Sequence, residues 1–182
     1  MLVKSRWILF FVLVALGMGS AVGSAEPEHP MNAFVGQWVF AGGDAELEGV
    51  SAAIDKTIAS MSMLMRPIAK KRMHKSIKAS ERYDFSLDET DKVLMSWNED
   101  MSQTLFLDGK WQSRTGADKK TTKVKSELVK GELHIAWNRD DANGWSKYRI
   151  SADGRTLSVT RSINSGYFKV PVQFTTTYRR AE

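Results

Sequence analysis

The sequence contains no cysteine, only four prolines and only three histidines among its 182 residues. Without cysteine there are no disulfide bonds and no thiol chemistry, so packing and hydrogen bonding must hold the fold. His29, His74 and His134 are scattered and do not have the spacing of metal ligands, and the sequence has neither a Gly-x-Ser-x-Gly element nor a glycine-rich phosphate loop. We therefore expect no catalytic residues, no metal and no cofactor.

Basic residues only slightly outnumber acidic residues in this sequence. The chain has 26 Lys and Arg residues against 21 Asp and Glu residues, and two of the basic residues lie in the first six positions. The rest of the chain carries a net charge of +3, and it contains no nucleic-acid-binding motif. We expect no nucleic-acid partner.

The one long hydrophobic run lies at the N-terminus. Lys4 and Arg6 precede the stretch WILFFVLVALGMG, and small residues follow it. This pattern predicts a secretory signal peptide over residues 1–25, cleaved near Ala25. The run is shorter than the roughly 20 residues of a transmembrane helix. We expect a secreted or periplasmic protein whose residues 26–182 form a single domain.

A helical segment follows the first predicted strand. Its apolar residues recur at three- and four-residue steps, as in an amphipathic helix: Leu47, Val50, Ile54, Ile58, Met61, Met65 and Ile68. Asp44 is the predicted N-cap. Because Pro67 disfavours helical geometry at Arg66, we expect one helix to about Arg66 and a second starting near Pro67. The helical insertion spans residues 44–79.

Most of the remaining chain reads as short strands rich in β-branched and aromatic residues, separated by turn signals such as Asn-Gly and Asp-Gly. With a first strand near Phe34–Phe40, we count about nine or ten strands in successive hairpins. We therefore predict a mostly-β fold, an antiparallel up-and-down barrel with the helical insertion between its first two strands, because closure removes exposed edges. A strongly curved half-barrel satisfies the same periodicity. Alternation places these apolar groups on single faces: Tyr83, Phe85 and Leu87; Val93, Met95 and Trp97; and Leu133, Ile135 and Trp137.

A Gly-x-Trp motif at Gly36 and Trp38 opens the first strand, and Arg179 and Arg180 end the last one. This pairing resembles the calycin superfamily, in which a late arginine packs across the tryptophan ring where the barrel closes. The resemblance implies that Gly36, Trp38 and one of the two arginines form this closure. The layout is similar to that of the fatty-acid-binding proteins, and the segment from Phe34 resembles their Phe-x-Gly-x-Trp opening.

The resemblance has one chemically important departure. The Arg-x-Tyr with which fatty-acid-binding proteins hold a carboxylate would fall at Thr176 and Tyr178, so the tyrosine is matched and the arginine is missing. A carboxylate would then have to find Arg161, or remain at the mouth near the basic helix, because an unpaired buried carboxylate is very unfavourable. We expect a preference for neutral or weakly polar lipids, or else an acid group held at the helices.

The resemblance implies a ligand inside the barrel, with the helical insertion as a lid. Strand alternation suggests aromatic wall residues and one inward cation, and methionines suit a cavity that accepts varied shapes. Each candidate has a plain alternative, since aromatics and methionines also form ordinary cores and an arginine near a strand end also reaches solvent. The ligand-binding candidates are Met61, Met65, Trp97, Phe106, Trp137, Arg161 and Tyr178.

The basic stretch at Lys70, Lys71, Arg72 and Lys75 fits contact with an anionic membrane surface, and it also fits a solvated helix face. We expect an exported, non-enzymatic, lipocalin-like protein that binds an apolar or amphiphilic, lipid-like molecule under a helical lid. The alternative is a structural or protein-interaction module with a filled barrel. An isomerase or other enzyme that uses the cavity is a third possibility.

Overall fold

The chain forms ten antiparallel strands and two helices in a computed structural model. The structure describes residues 29–88, 92–98, 101–115 and 119–181. The predicted signal peptide and its cleavage site lie outside these residues. Within them, neither helix has the length and apolar character needed to cross a membrane.

Both helices lie between the first two strands, which confirms the predicted mostly-β fold with a helical insertion. The elements are β1 (Gly36–Phe40), α1 (Gly43–Ala59), α2 (Arg66–Ser76), β2 (Arg82–Leu87), β3 (Val93–Trp97), β4 (Met101–Leu105), β5 (Gln112–Thr115), β6 (Thr121–Val129), β7 (Glu132–Arg139), β8 (Ala142–Ile150), β9 (Thr156–Ser165) and β10 (Val172–Arg180).

All ten strands belong to one sheet, with the order β4-β3-β2-β1-β10-β9-β8-β7-β6-β5. The first strand lies between β2 and β10, and Trp38 is opposite Tyr83 on one side and Arg180 on the other. The two ends of the order are β4 and β5, so the sheet is a half-barrel. We call the gap between these two strands the seam.

A side chain crosses the seam where the backbone ladder stops. Arg114 on β5 donates from Nη1 to Gln103 Oε1 on β4 at 3.4 Å and from Nη2 to the carbonyl of Thr104. The seam is therefore bridged by a guanidinium group.

The lower end of the barrel, where β1 begins and β10 ends, is filled with side chains. The predicted inward faces are buried there: Tyr83, Phe85, Val93, Met95, Leu133 and Ile135. A turn before β1 adds Met31 and Phe34, which are 0% and 1% exposed. Phe34 and Tyr83 each contact Phe85 through their rings, at centroid distances of 6.0 and 6.3 Å. The lower half is a packed aromatic core.

The helices lie at the upper end, where β1 ends and β10 begins. Ile54 and Ile58 of α1 share a second apolar cluster with Val172 and Phe174 on β10. The predicted N-cap bond from Asp44 is not observed, because α1 begins at Gly43 without a side-chain cap. Instead, the Glu46 carboxylate accepts hydrogen bonds from the backbone N–H of Thr177 at 2.7 Å and from its Oγ1 at 2.6 Å. The start of α1 is thus tied to the middle of β10.

The first helix ends at Ala59, several residues before the predicted end at Arg66. Arg66 caps this end, because it donates from Nη2 to the Ala59 carbonyl at 2.9 Å and from Nε to the Met61 carbonyl at 3.2 Å. Carbonyls at a helix C-terminus lack intrahelical partners, and a basic side chain satisfies them. The second helix starts at Arg66 with Pro67 in its first turn, close to the predicted position.

Candidate functional site

A cavity of about 630 Å³ occupies the upper half of the barrel, above the packed core. We call it the candidate cavity. Its apolar walls come from strands on both sides of the seam, and they include Met95, Trp97, Val124, Ile135 and Trp137. Its polar wall groups include Gln103, Arg114, Ser146, Tyr148 and Arg161.

The position of Trp137 depends on a glycine in the neighbouring strand. Trp137 on β7 is opposite Gly144 on β8. A Cβ atom at Gly144 would lie 2.7 Å from Cζ2 of the Trp137 ring and 2.5 Å from the Ser162 carbonyl oxygen. Cβ atoms essentially never approach other heavy atoms this closely. The absence of a side chain at Gly144 therefore leaves the space that the Trp137 ring occupies at the cavity wall.

Arg161 on β9 is the deep cation of the candidate cavity. Its Nη2 donates to Tyr83 Oη and to Ser80 Oγ, the latter at 3.2 Å, and its guanidinium carbon lies 5.7 Å from the Tyr83 ring centroid. Burial by itself lowers the pKa of Arg161, but the oxygens of Tyr83, Tyr148 and Tyr178 outweigh it and the pKa lies above its usual value. The group therefore stays charged. Among the described residues it has no carboxylate within ion-pair distance.

Three tyrosines surround this cation. The Tyr83 ring lies 5.5 Å from that of Tyr148 and 4.9 Å from that of Tyr178, both edge to face. Burial raises the pKa of Tyr148 and of Tyr178 well above the usual value. These phenols are neutral over the physiological range and act as hydrogen-bond donors or acceptors beside Arg161. The floor of the cavity thus carries one positive charge without a compensating negative one.

Arg114 is the second arginine on the cavity wall. It is half-buried at the seam, and burial lowers the pKa of its guanidinium. Sequence reasoning did not select this residue. The pairing of β5 with β6 would have identified it. Arg114 lies opposite Thr122, which is two residues from the inward Val124 and therefore on the same face of the sheet.

The closure at the lower end joins the first and last strands through one arginine. The guanidinium carbon of Arg180 lies 4.4 Å from the Trp38 ring centroid, whereas Arg179 is exposed on the outer face. Gly36 has a φ of +117°, and a Cβ atom there would lie 3.0 Å from Arg180 Nη1. The geometry therefore selects Arg180 from the two arginines that the sequence left open.

Several solved structures have an architecture similar to that of this chain. No family model matches the chain, and neither does any curated protein. A secretory abundant heat soluble protein from Ramazzottius varieornatus has a similar structure, with a TM-score of 0.54, 11% identity, and coverage of 82% of this chain and 96% of that one. The fluorescent protein UnaG gives a TM-score of 0.52 at 18% identity, covering 83% of this chain and 99% of its own. Fatty-acid-binding protein 1 of Echinococcus granulosus gives 0.51 at 14% identity, covering 84% and 100%.

The chain has a calycin-like β-barrel fold. At identities this low, the similarity establishes the architecture and nothing about the ligand. Within the calycin-like barrel, three of the predicted site residues come together on the candidate cavity: Trp97, Trp137 and Arg161.

The other four predicted ligand-binding residues lie elsewhere. Tyr178 is fully buried in the core, and Phe106 is 40% exposed because Leu105 takes the inward position at the end of β4. Met61 is buried between the helices and β10, while Met65 is 36% exposed near the turn that joins the helices. Neither methionine is on the wall of the candidate cavity. Ligand contact by any of the seven residues stays a prediction.

Proposed function

We propose that this protein binds an apolar or amphiphilic, lipid-like small molecule inside its calycin-like barrel. The observation that carries the proposal is the candidate cavity, with a volume of about 630 Å³, largely apolar walls and the unpaired charge of Arg161 at its floor. Small-molecule sites usually have such a volume, mostly apolar walls and a few placed polar groups. Affinity would come from apolar area removed from water, roughly 25 cal/mol per Å².

The position of Arg161 favours an anionic head group inside the cavity. From the sequence we expected neutral or weakly polar lipids, or else an acid group held at the helices. The buried Arg161 on the neighbouring strand β9 instead supports an acid group inside the cavity. A buried charge without a counter-charge is unfavourable, and a ligand carboxylate would relieve this. The neutral hydroxyl of Tyr148, which hydrogen-bonds Ser146 and Arg161, also lines the cavity beside this cation.

Binding is also favoured over catalysis by the polar groups that line the cavity. Those in the described part of the chain are Ser, Thr, Gln, Tyr and Arg side chains, without His, Asp or Glu. General acid–base catalysis usually employs His, Asp or Glu within hydrogen-bond reach of the substrate. We therefore propose a non-enzymatic role.

The test is native mass spectrometry of the purified protein, with extraction of copurified small molecules, followed by titration with a long-chain fatty acid. Trp97 and Trp137 line the cavity, so binding should change tryptophan fluorescence. The change should be reduced in Trp137→Phe and retained in Trp111→Phe, because Trp111 is 51% exposed. A protein without copurified lipid and without a response to any lipid would instead support the structural or interaction module.

We propose further that the protein is exported and that the helices form a lid over the upper end. The N-terminal pattern carries the first part, and N-terminal sequencing of secreted material should begin at Glu26. The lid proposal is supported by the packing of α1 on Phe174 and Val172 at the upper end of β10.

Membrane contact through α2 is the remaining part of the proposal. Lys70, Lys71, Arg72 and Lys75 are all exposed, and α2 contains no acidic residue. The adjoining turn exposes apolar side chains, with Leu64 at 89%. A basic helix beside exposed apolar groups suits an anionic lipid surface. Lys70→Glu with Lys71→Glu should abolish cosedimentation with anionic vesicles, while Lys110→Glu on the far loop should not; equal loss in both would reject this surface.

A further inference from the structure

We propose that the candidate cavity binds a molecule with two anionic groups, one held by Arg161 and the other by Arg114, joined by an apolar body. This inference rests on the proposed function, since it requires that the cavity holds a ligand. It adds the chemical class of that ligand and a second anchoring residue.

Two arginines line one cavity, and neither has an acidic partner among the described residues. An arginine on the outer surface shows the contrast, because Arg149 binds the Glu132 carboxylate through Nε and Nη2, both at 2.5 Å. Guanidinium groups taken out of water require compensating partners. Two anionic groups of a ligand would supply both of them.

Both guanidinium groups also retain N–H groups that make no hydrogen bond within the described part of the protein. Arg114 uses one bond from each terminal nitrogen, to Gln103 and to Thr104. Arg161 donates from Nη2 to Ser80 and Tyr83, and it also hydrogen-bonds Tyr148. A guanidinium carries five N–H donors in a planar fork that matches a carboxylate or a phosphate. Each guanidinium group can therefore donate hydrogen bonds to an anion while it keeps its contacts with the protein.

The backbone positions of Arg161 and Arg114 are well separated on the sheet. Arg161 lies on β9 and Arg114 on β5, four strand intervals apart, which is about 19 Å along the sheet. The pairings from Arg161 through β8 and β7 reach Ser126 on β6, whereas Arg114 is opposite Thr122. That difference of four residues is about 13 Å along a strand. One cation is therefore deep in the cavity and the other is near its upper end.

The surface between the two cations is largely apolar and aromatic, with the hydroxyls of Ser146 and Tyr148 among its polar groups. Trp137 and Ile135 on β7 and Val124 on β6 line the cavity between β9 and β5. Such a wall suits an alkyl or flat ring body and offers no partner for further charges. A long dicarboxylate or a similar two-headed amphiphile fits the whole arrangement.

The experiment measures displacement of a cavity-bound fluorescent fatty acid by α,ω-dicarboxylic acids of increasing length. Monocarboxylic acids and neutral diols of the same lengths serve as comparison compounds. The proteins are the wild type, Arg114→Gln, Arg161→Gln and the double variant. Arg82→Gln removes the same charge from an exposed position at the upper end and is the matched control.

We expect the best diacid to bind about tenfold more tightly than its monoacid in the wild type and in Arg82→Gln, as for one added charge-assisted contact. Arg114→Gln should weaken the diacid more than the monoacid and so remove that difference, while Arg161→Gln should weaken both acids. If Arg114→Gln does not fold, Arg114→Lys replaces it, and the charged but unforked side chain should retain only part of the diacid advantage.

Equal affinity for diacid and monoacid at every length would overturn the second anion site, and so would a diacid advantage that survives Arg114→Gln. These outcomes leave the proposed function standing, because the monoacid still binds. Failure of every probe to bind, neutral diols included, would overturn the proposed function itself.

Discussion

Arg180 covers the ring of Trp38 at 4.4 Å and also donates to two carbonyls of the segment that precedes β1. These acceptors are the Val35 and Ala33 carbonyls, both at 2.6 Å, and Trp38 Nε1 donates to the Phe34 carbonyl at 2.8 Å. One arginine on the last strand thus holds the first strand and the preceding turn together. The contact belongs to the packed lower end, away from the candidate cavity.

Trp38→Ala should lower the free energy of unfolding by about 3–5 kcal/mol, the usual loss for a large buried aromatic. Trp111→Ala is the control, because Trp111 is 51% exposed, and it should change stability by less than about 1 kcal/mol. Denaturant titration of both variants measures the difference. A Trp38→Ala protein with wild-type stability and lost ligand binding would contradict the structural role of this ring.

Glu46→Gln should loosen α1 from β10, since the carboxylate accepts both the backbone N–H and the hydroxyl of Thr177. A glutamine amide oxygen replaces only part of this pairing, and we expect a loss of about 1–3 kcal/mol. Hydrogen exchange in α1 should become faster. Glu48→Gln on the exposed face of the same helix is the control. Unchanged exchange in Glu46→Gln would show that the apolar cluster alone holds the helix.

Acid sensitivity should depend on Glu132. Hydrogen bonds from His134 and from Arg149 hold the pKa of this carboxyl below its ordinary value. A lowered folded-state pKa contributes stability that is present above the unfolded pKa, near 4.5, and disappears as pH falls through the folded value. Glu132→Gln should therefore lose less stability than the wild type on acidification from about pH 5 to about pH 3. Parallel acid profiles of wild type, Glu132→Gln and the exposed control Glu81→Gln would contradict this assignment.

Two glycine substitutions should act in opposite directions. Gly144→Ala should destabilise by about 1–3 kcal/mol, because the new methyl group meets the Trp137 ring and the Ser162 carbonyl. Gly49→Ala in α1 should stabilise by about 0.5–1 kcal/mol, since nothing lies within 4 Å of its added Cβ. Thermal unfolding measures both effects, and the Trp137 fluorescence spectrum should change only in Gly144→Ala. A stable Gly144→Ala protein with an unchanged spectrum would show that the wall is more adaptable than the packing indicates.

The strand faces were predictable from the sequence because side-chain alternation along a strand is a local property. Tyr83 and Phe85, Val93 and Met95, and Leu133 and Ile135 are all buried, as their spacing indicates. The helical insertion was visible for the same reason, through apolar residues at three- and four-residue steps. The Gly-x-Trp motif at Gly36 also marked the closure of the barrel before any contact was known.

Alternation does not give the height of a residue in the barrel. Tyr178 and Trp137 both face inward, yet Tyr178 is in the lower core and Trp137 lines the cavity. The difference comes from strand register, in which Tyr178 is opposite Leu157 and Trp137 is opposite Gly144. Phe106 shows a related limit, because the inward position at the end of β4 belongs to its neighbour Leu105, and this is known only once the pairing of β3 with β4 is known.

The sequence by itself determined the order of strands and helices, most of the inward faces and the closure motif, since each is encoded over a few neighbouring residues. The end of α1 was not visible in the three- and four-residue spacing, because Arg66 caps the Ala59 carbonyl seven residues earlier in the chain. Only the tertiary structure decided that Met61 packs between the helices and β10 rather than on the cavity wall, and that Arg114 and Arg161 line one cavity. These relationships join residues that are far apart in the chain, and they exist only after the half-barrel has brought its strands together.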